Sequence, residues 1–210
     1  MARPGDLPAR TMRATSHVVR EAILHSALDA FSARGFDSVS TRAIAAAAGI
    51  EQGQLTYYFP SKEGLWRETV ARYNRDFEII LERAPSTTAS PAKALKQGRP
   101  VLEQILRFLH HNRQLAAMIS QEFSRQSSRH DWLARTIAVP TWKRLEPLFK
   151  VVAASRAPVA APIMHYFQFL GGALMFFGAS ENLREFLGAV DDDAAAESFI
   201  ALHLQSYFDA

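Results

Sequence analysis

Four polar side chains that can hydrogen-bond to the edges of base pairs lie close together in the chain: Gln52, Gln54, Thr56 and Tyr57. In the major groove of DNA, a glutamine can pair with adenine and a threonine can touch a thymine methyl group. A helix from about Glu51 to Tyr58 would expose these groups, because Leu55 and Phe59 are its only strongly apolar inward candidates. The segment therefore favours a helix that reads base pairs, and an ordinary surface helix of a bundle is the alternative.

A helix this short is not stable by its own propensity, so neighbouring elements must hold it in place. A helix before it is predicted to begin at Ser40 or Thr41, since either hydroxyl can cap its free amides. Its narrow apolar stripe consists of Ile44, Ala45 and Ala48. Gly49 can adopt the positive φ that often ends a helix. Together these features predict a helix-turn-helix over about residues 40–59.

Two longer helices are predicted to flank this segment. The first runs from about Ser16 to Arg34 and has one apolar face, and the other runs from about Lys62 to Arg83 with a long apolar stripe. Ser61 is a plausible N-cap for the latter, and its free N-terminal amides can bind a phosphate. We expect this helix to link two domains, residues 16–66 and 67–210.

Three sequence blocks in this order resemble the DNA-binding domain of the tetracycline-repressor (TetR) family of bacterial transcription regulators: FSARGF, TRAIAAAAGI and GQLTYYFPSKEGLW. The resemblance covers about Arg20 to Trp66. It implies an all-α protein of about nine helices, with an N-terminal three-helix helix-turn-helix domain and a C-terminal helical bundle that binds a ligand and dimerises. Lys62 is similar to the family's phosphate-contacting lysine. Thr56 departs from the family, which often has Tyr there, so that contact is absent or passes to Tyr57.

The residues expected to contact the DNA operator are Thr41, Arg42, Gln52, Gly53, Gln54, Thr56, Tyr57, Tyr58 and Lys62. The resemblance further implies a ligand-responsive regulator, most often a repressor, that binds a near-palindromic double-stranded operator as a homodimer and is released by a small apolar effector. A helix-turn-helix-derived module that binds a protein partner without DNA is the alternative function.

Composition agrees with a globular regulator. The 210 residues are 48% hydrophobic and 21% charged, which leaves room for a small and a larger domain. The absence of cysteine excludes disulfides and thiolate metal sites and fits the cytoplasm. The most hydrophobic run, Phe169 to Ala179, is too short to span a bilayer, so we expect no membrane association. Residues 1–15 are predicted to be a disordered basic arm that either reaches DNA or is a solvated tail.

The second domain is predicted to contain helices at about residues 92–97, 101–111, 112–126, 132–154, 158–180 and 192–208. Gly98 and Pro100 should interrupt the first two, and Pro140 should kink the fourth. The helix over 158–180 is apolar nearly all round and should be enclosed on every side. The last helix has two apolar faces, one of which we expect to cover a second subunit.

Candidate ligand-pocket residues are large apolar groups with a few polar ones: Phe108, Met118, Glu122, Phe123, Trp142, His165 and Phe169. Plain core packing is the alternative for each of them. Candidate dimer-interface residues are Leu170, Leu174, Phe177, Phe199, Leu202 and Ser206. Gly171 and Gly172 either let helices cross closely at that seam or fit against the monomer core.

Motifs for catalysis are missing from the sequence. It contains no Glu-x-x-His spacing of the kind that di-iron bundles use, no His-x-x-x-His, no Gly-rich phosphate loop and no Gly-x-Ser-x-Gly elbow. We therefore expect no enzymatic activity, no metal and no cofactor.

Overall fold

The computed structural model describes residues 9–86, 88–155, 161–178 and 192–208, and all regular structure within those ranges is helical. The helices are α1 (Ala9–Ser38), α2 (Thr41–Ala47), α3 (Gln52–Tyr58), α4 (Lys62–Leu81), α5 (Pro91–His111), α6 (Arg113–Phe123), α7 (Ser128–Leu133), α8 (Val139–Ser155), α9 (Pro162–Phe177) and α10 (Asp192–Phe208). A π-helical turn, Ala134–Ala138, joins α7 to α8. If α7, this turn and α8 count as one continuous helix, the described ranges hold nine helices. The predicted all-α class is confirmed.

The chain divides into two compact units, Met1–Arg72 and Tyr73–Ala210, and α4 begins in the first and ends in the second. Within the described ranges, every helix is too short or too polar to cross a membrane.

In the first unit, α1 begins at Ala9 rather than at Ser16. Residues 9–15, assigned from the sequence to a disordered arm, are therefore helical, in keeping with the high helix propensity of their Ala, Arg and Met residues. Residues 1–8 lie outside the described ranges. Gly35 breaks the helix with φ 76° and ψ 162°. Ile23, Ala27 and Phe31 form the fully buried face of α1.

The turn between α2 and α3 follows from local rules. The Ser40 hydroxyl, and not that of Thr41, caps α2 by accepting a hydrogen bond from the Ala43 amide at 3.1 Å. At the other end, Gly49 has φ 69°, and the next amide, that of Ile50, donates to the Ala45 carbonyl at 3.0 Å. A positive-φ glycine followed by such a hydrogen bond is a common way to end a helix. The chain continues from this turn directly into α3.

In the second unit, α5 is one continuous helix, so the prediction of an interruption at Gly98 to Pro100 is wrong. Tertiary packing overrides the local propensity. A Cβ on Gly98 would lie 2.2 Å from Leu148 Cδ1, which shows how closely α5 and α8 approach. Val101 and Leu148 are buried in the same core. The contact keeps α5 helical although Pro100 removes one backbone hydrogen bond.

The helix predicted over 132–154 with a kink at Pro140 starts earlier, at Ser128, and is widened just before the proline. Because Pro140 has no N–H to direct at the carbonyl of Thr136, an α-helical turn there would lack its hydrogen bond, and the chain forms the π-helical turn instead.

Helices α9 and α10 are joined by a column of aromatic rings. Phe176 stacks on Phe199 with ring centres 4.0 Å apart and nearly parallel planes, and Phe199 stacks on His203 at 4.9 Å. The other face of His203 lies against Phe169 at 5.3 Å. Gly172 makes room for the imidazole, since a Cβ there would lie 2.8 Å from His203 Cε1. The close-packing role proposed for Gly172 is therefore within the chain.

Candidate functional site

Helix α3 is attached to the first unit mainly by one side chain. Leu55 is 1% exposed, and Phe59, just after the helix, is 4% exposed. The exposed residues of α3 are Gln52, Gly53, Gln54, Thr56 and Tyr57. Tyr57 is the most open of them, with 82% of its surface exposed. The polar groups predicted to read base edges therefore lie on the outside of a short, anchored helix.

Two hydroxyl groups of α3 are partly used within the chain. The Thr56 hydroxyl donates to the Gln52 carbonyl at 3.0 Å, which leaves its oxygen lone pairs and methyl group outward. Tyr58 is half-buried, and its hydroxyl donates to Ser16 Oγ at 3.0 Å. The Tyr58 ring also meets the Tyr57 ring edge-on at 5.4 Å. Tyr58 is thus turned toward α1 and supports the Tyr57 ring, and its contact with DNA stays a prediction.

A cleft of about 520 Å³ lies beside α3, between the α1–α2 connection, the end of α3 and the start of α4. It brings together three of the predicted DNA-contacting residues, Thr41, Thr56 and Lys62. The Lys62 ammonium lies 4.3 Å from the centre of the Phe36 ring. Ser61 caps α4 as predicted, since its hydroxyl accepts a hydrogen bond from the Gly64 amide at 2.9 Å. Helix N-termini beside a lysine are well suited to bind phosphate.

Ion pairs of α1 and α4 support this site within the first unit. Arg20 donates to Glu68 at 2.6 Å, and its guanidinium lies 5.4 Å from the centre of the Phe59 ring. Arg72 pairs with Glu21 on the same two helices. The sequence analysis missed these pairs, because partners 48 and 51 positions apart carry no local signal. Arg42, predicted to contact DNA, is exposed on α2.

Gly53 has no packing role in the structure. A Cβ built on it would meet no other described atom within 4 Å, and it is not among the positive-φ glycines. Neither steric room nor backbone conformation within the described chain therefore requires glycine at this exposed position of α3.

Three of the candidate pocket residues of the second unit belong to one hydrophobic core, since Phe169 lies in it and Phe108 and Trp142 pack against it. Phe108 packs on Phe77 with ring centres 5.4 Å apart. Trp142 packs on Tyr166 at 5.3 Å, and Phe169 belongs to the aromatic column. Met118 is buried, His165 is half-buried, and Phe123 is 37% exposed rather than interior. Burial raises the pKa of the Tyr166 phenol, whose hydroxyl donates to the Ala138 carbonyl at 3.5 Å.

Glu122 is buried but is not a free acid for selecting a ligand. Its Oε1 accepts from Arg129 Nε at 2.8 Å, and its Oε2 accepts from the Ser127 hydroxyl at 2.7 Å. Arg129 is itself 7% exposed. The carboxylate therefore fixes the connection from α6 to α7, and its place in a ligand pocket stays a prediction.

The candidate dimer residues also separate. Leu174 and Phe177 are 6% and 2% exposed and belong to the core of their own unit, so they cannot reach a second subunit. Leu170 and Phe199 are half-buried, and Leu202 and Ser206 are exposed.

The outer face of α9 carries exposed apolar residues that the sequence analysis did not select: Met164, Phe167 and Met175. They are 57%, 62% and 73% exposed. Their spacing places them on one helix face together with Gly171, whose Cβ position is open. The prediction that this helix is enclosed on every side is wrong for the single chain. The sequence signal was present, because a helix that is apolar all round leaves one apolar face uncovered when only one side meets the core.

Comparisons with known proteins agree with this architecture. Residues 23–69 match the model of the family described as bacterial regulatory proteins, tetR family. The chain is 27% identical over 162 residues to a probable HTH-type transcriptional regulator, YttP, of Bacillus subtilis, covering 74% of this chain and 75% of that protein. It is 38% identical over 78 residues to the HTH-type transcriptional regulator RutR of Escherichia coli, covering only 37% of this chain and 36% of that protein.

Solved structures show the same fold. A putative fatty acid metabolism regulator of Clostridium perfringens matches with a TM-score of 0.68 at 17% identity, over 88% of this chain and 97% of that one. A TetR-like transcriptional regulator of Rhodococcus matches with a TM-score of 0.55 at 24% identity, over 89% and 94%. Together with the exposed polar α3, the match of residues 23–69 to the tetR family and the similarity to two HTH-type regulators support a transcriptional regulator of the TetR type.

Proposed function

We propose that the protein is a ligand-responsive repressor that binds a near-palindromic operator as a dimer and leaves it when a small apolar effector binds. The observation that carries this proposal is α3, a helix with one buried anchor, Leu55, and an outer surface of glutamines, a threonine and a tyrosine. Such a surface offers donors and acceptors to base edges, and it offers little apolar area to a protein partner.

The neighbouring cleft supplies the backbone contacts. Lys62, Thr41 and the N-termini of α2 and α4 border it. These groups would bind phosphates and set the register of α3 in the major groove, while Gln52, Gln54 and Tyr57 would contact the bases. Tyr58, whose hydroxyl is bound to Ser16 of α1, would act indirectly by supporting the ring of Tyr57.

The exposed face of α9, together with Leu202 on α10, supports the dimer. Four large apolar side chains there are at least half exposed in the single chain: Met164, Phe167, Met175 and Leu202. A second copy related by a two-fold axis would bury them against the same residues. Two copies of α3 could then meet successive major grooves about 34–36 Å apart, which is the spacing that a palindrome requires.

Release by an effector is proposed through α4, the one helix that begins in the first unit and ends in the second. An effector that binds the second unit would shift this helix and change the separation of the two α3 helices. The effector can do so only to the extent that it prefers the non-binding conformation.

Sequencing of DNA fragments captured by the purified protein, followed by electrophoretic shifts at rising salt, tests the DNA half of the proposal. A palindromic site is expected, with affinity that falls steeply as salt rises. Gln54→Ala and Tyr57→Ala should each weaken binding by about 1–3 kcal/mol. Lys62→Ala should reduce the salt slope by about one.

The control is His25→Ala, because His25 is exposed on α1 away from α3. It should leave affinity unchanged. Equal affinity of the Gln54 and Tyr57 variants and the parent protein would remove α3 as the reader and favour the protein-partner alternative. Loss of reporter-gene repression in cells on addition of an effector would separate a repressor from an activator.

A further inference from the structure

A second groove, of about 510 Å³, lies on the second unit between one face of α5 and the residue that follows the last turn of α4. Its lining includes Arg83, Lys93, Lys96, Pro100, Val101 and Gln104. The α5 residues among them recur every three or four positions, so they form one continuous face of the helix. The groove has the volume of ordinary small-molecule sites, which is about 300–1,000 Å³.

The charged side chains that line the groove are all cationic. Lys93 and Lys96 are exposed one turn apart on α5. Arg83 is held against α5, because its Nη1 donates to Gln104 Oε1 at 3.1 Å. No lining residue is acidic. Glu103, the neighbour of Gln104 in the chain, accepts a hydrogen bond from Arg107 Nε at 3.0 Å. Glu103 shares the Arg107 guanidinium with Glu197 and does not line the groove.

Apolar surface lies beside these cations. The exposed Pro100 ring belongs to the lining, and the alkyl stems of the two lysines extend this surface, whereas Val101 borders the groove but is only 2% exposed. A bare inorganic anion would use the charges and leave the apolar surface in water. An apolar ligand would bury that surface but leave the cations without a partner.

We propose that this groove binds a small organic anion with an apolar part, such as a straight-chain carboxylate. The carboxylate would pair with Lys93, Lys96 and Arg83, and the hydrocarbon would lie along the exposed Pro100 ring and the alkyl stems of the two lysines. This inference deepens the proposed effector response and depends on it only for the regulatory consequence. A ligand that bridges Arg83 and α5 would hold the end of α4, the helix through which release is proposed.

The test is calorimetric titration of the full-length protein, without DNA, with octanoate. Octan-1-ol is the neutral counterpart with the same hydrocarbon chain, and inorganic phosphate is the anion without one. Saturable binding of octanoate and much weaker binding of the other two are expected. The double variant Lys93→Gln/Lys96→Gln should bind octanoate about tenfold more weakly. The control is Lys143→Gln/Arg144→Gln, which removes the same charge from an exposed face of α8.

Three results would overturn the proposal. Equal binding of octan-1-ol would place the ligand in an apolar interior site, and equal binding of phosphate would reduce the groove to a general anion attractor. An equal loss of octanoate binding in both double variants would show that only net charge matters. Because the titration contains no DNA, a failure of operator binding would leave its result intact. A loss of operator affinity in the Lys93/Lys96 variant, with octanoate binding unchanged, would instead assign these lysines to DNA.

Discussion

Helices α3 and α9 both expose side chains that the core of the chain does not explain, and they do so in opposite ways. Helix α3 is polar outside and is anchored mainly by Leu55, whereas α9 buries a full apolar face and exposes a second one through Met164, Phe167 and Met175. The polar surface of α3 can hydrogen-bond to water in the free protein and to a partner in a complex, so its exposure does not destabilise the chain. The second gains free energy only when another apolar surface covers it.

The largest effect is expected from a charge on the apolar surface. Phe167→Glu should prevent the proposed dimer, because the carboxylate would have to be buried against its symmetry copy. Each monomer would then bind only a half-site, and operator affinity should fall by about 3–5 kcal/mol through the loss of linked binding. Sedimentation velocity and operator titration would measure both quantities.

Val139→Glu is the matched control, since Val139 is also an exposed apolar residue, 46% open, but lies on α8. A Phe167→Glu protein that stays dimeric would show that the α9 face serves another partner.

The position of the polar surface on α3 should depend on its buried anchor, Leu55. Leu55→Ala should destabilise the first unit by about 2–5 kcal/mol, as truncation of a buried leucine usually does, and it should free α3. Hydrogen exchange of the α3 amides would detect this local loosening, and circular dichroism would follow unfolding. Leu202→Ala, a truncation of an exposed leucine, should leave the α3 amides as protected as before. Full protection of α3 in the Leu55 variant would contradict the single-anchor description.

A smaller effect is expected from Gly53→Ala, which should change helix stability and operator binding in opposite directions. Gly53→Ala should stabilise the helix by up to about 1 kcal/mol, because the open Cβ position costs nothing sterically and alanine has the higher helix propensity. The same methyl group should weaken operator binding if DNA approaches the backbone there. Thermal melts and electrophoretic shifts on one preparation would show the opposite signs. A gain in both would mean that Gly53 faces open solvent in the complex.

The smallest expected effect concerns the buried side of α9 and depends on pH. Burial between Phe169 and Phe199 lowers the pKa of His203, although the hydrogen bond from its Nε2 to the Phe169 carbonyl acts in the opposite direction. A histidine with a lowered pKa favours the folded state when neutral. Its contribution is therefore complete above its unfolded pKa of about 6.5, and it decreases as the pH falls below that value.

Denaturant unfolding at several pH values would show this slope, and His203→Gln should reduce it. His25→Gln is the control, because His25 is exposed on α1. An unchanged slope in the His203 variant would assign the acid sensitivity to other groups.

The parts of the structure that sequence could predict are those governed by neighbours in the chain. A capping serine, a glycine at a turn and one leucine in a polar helix act within a few residues, so Ser40 or Thr41, Gly49 and Leu55 were sufficient to place the helix-turn-helix. Helix α9 shows the limit. When every face of a helix is apolar, periodicity cannot tell that Leu174 is buried and Met175 is exposed.

Contacts between side chains on different helices could not be predicted from the sequence either. Glu122 was a candidate pocket residue, because nothing in the local pattern marks Arg129 as its partner. The continuity of α5 through Gly98 and Pro100 depends on Leu148, fifty residues away in the chain. Such features are decided by which helices meet, and that information is not contained in any one segment.

The Glu122–Arg129 pair also limits how the connection between α6 and α7 can change. Replacing either residue alone leaves a buried charge without its partner, which typically lowers the stability by about 3–5 kcal/mol. Replacing both with apolar residues of similar volume often leaves the stability unchanged. Single-step variants at these two positions should therefore be purged in a selection for folded protein, while simultaneous double replacements survive. Residues at these two positions would therefore change together rather than one at a time.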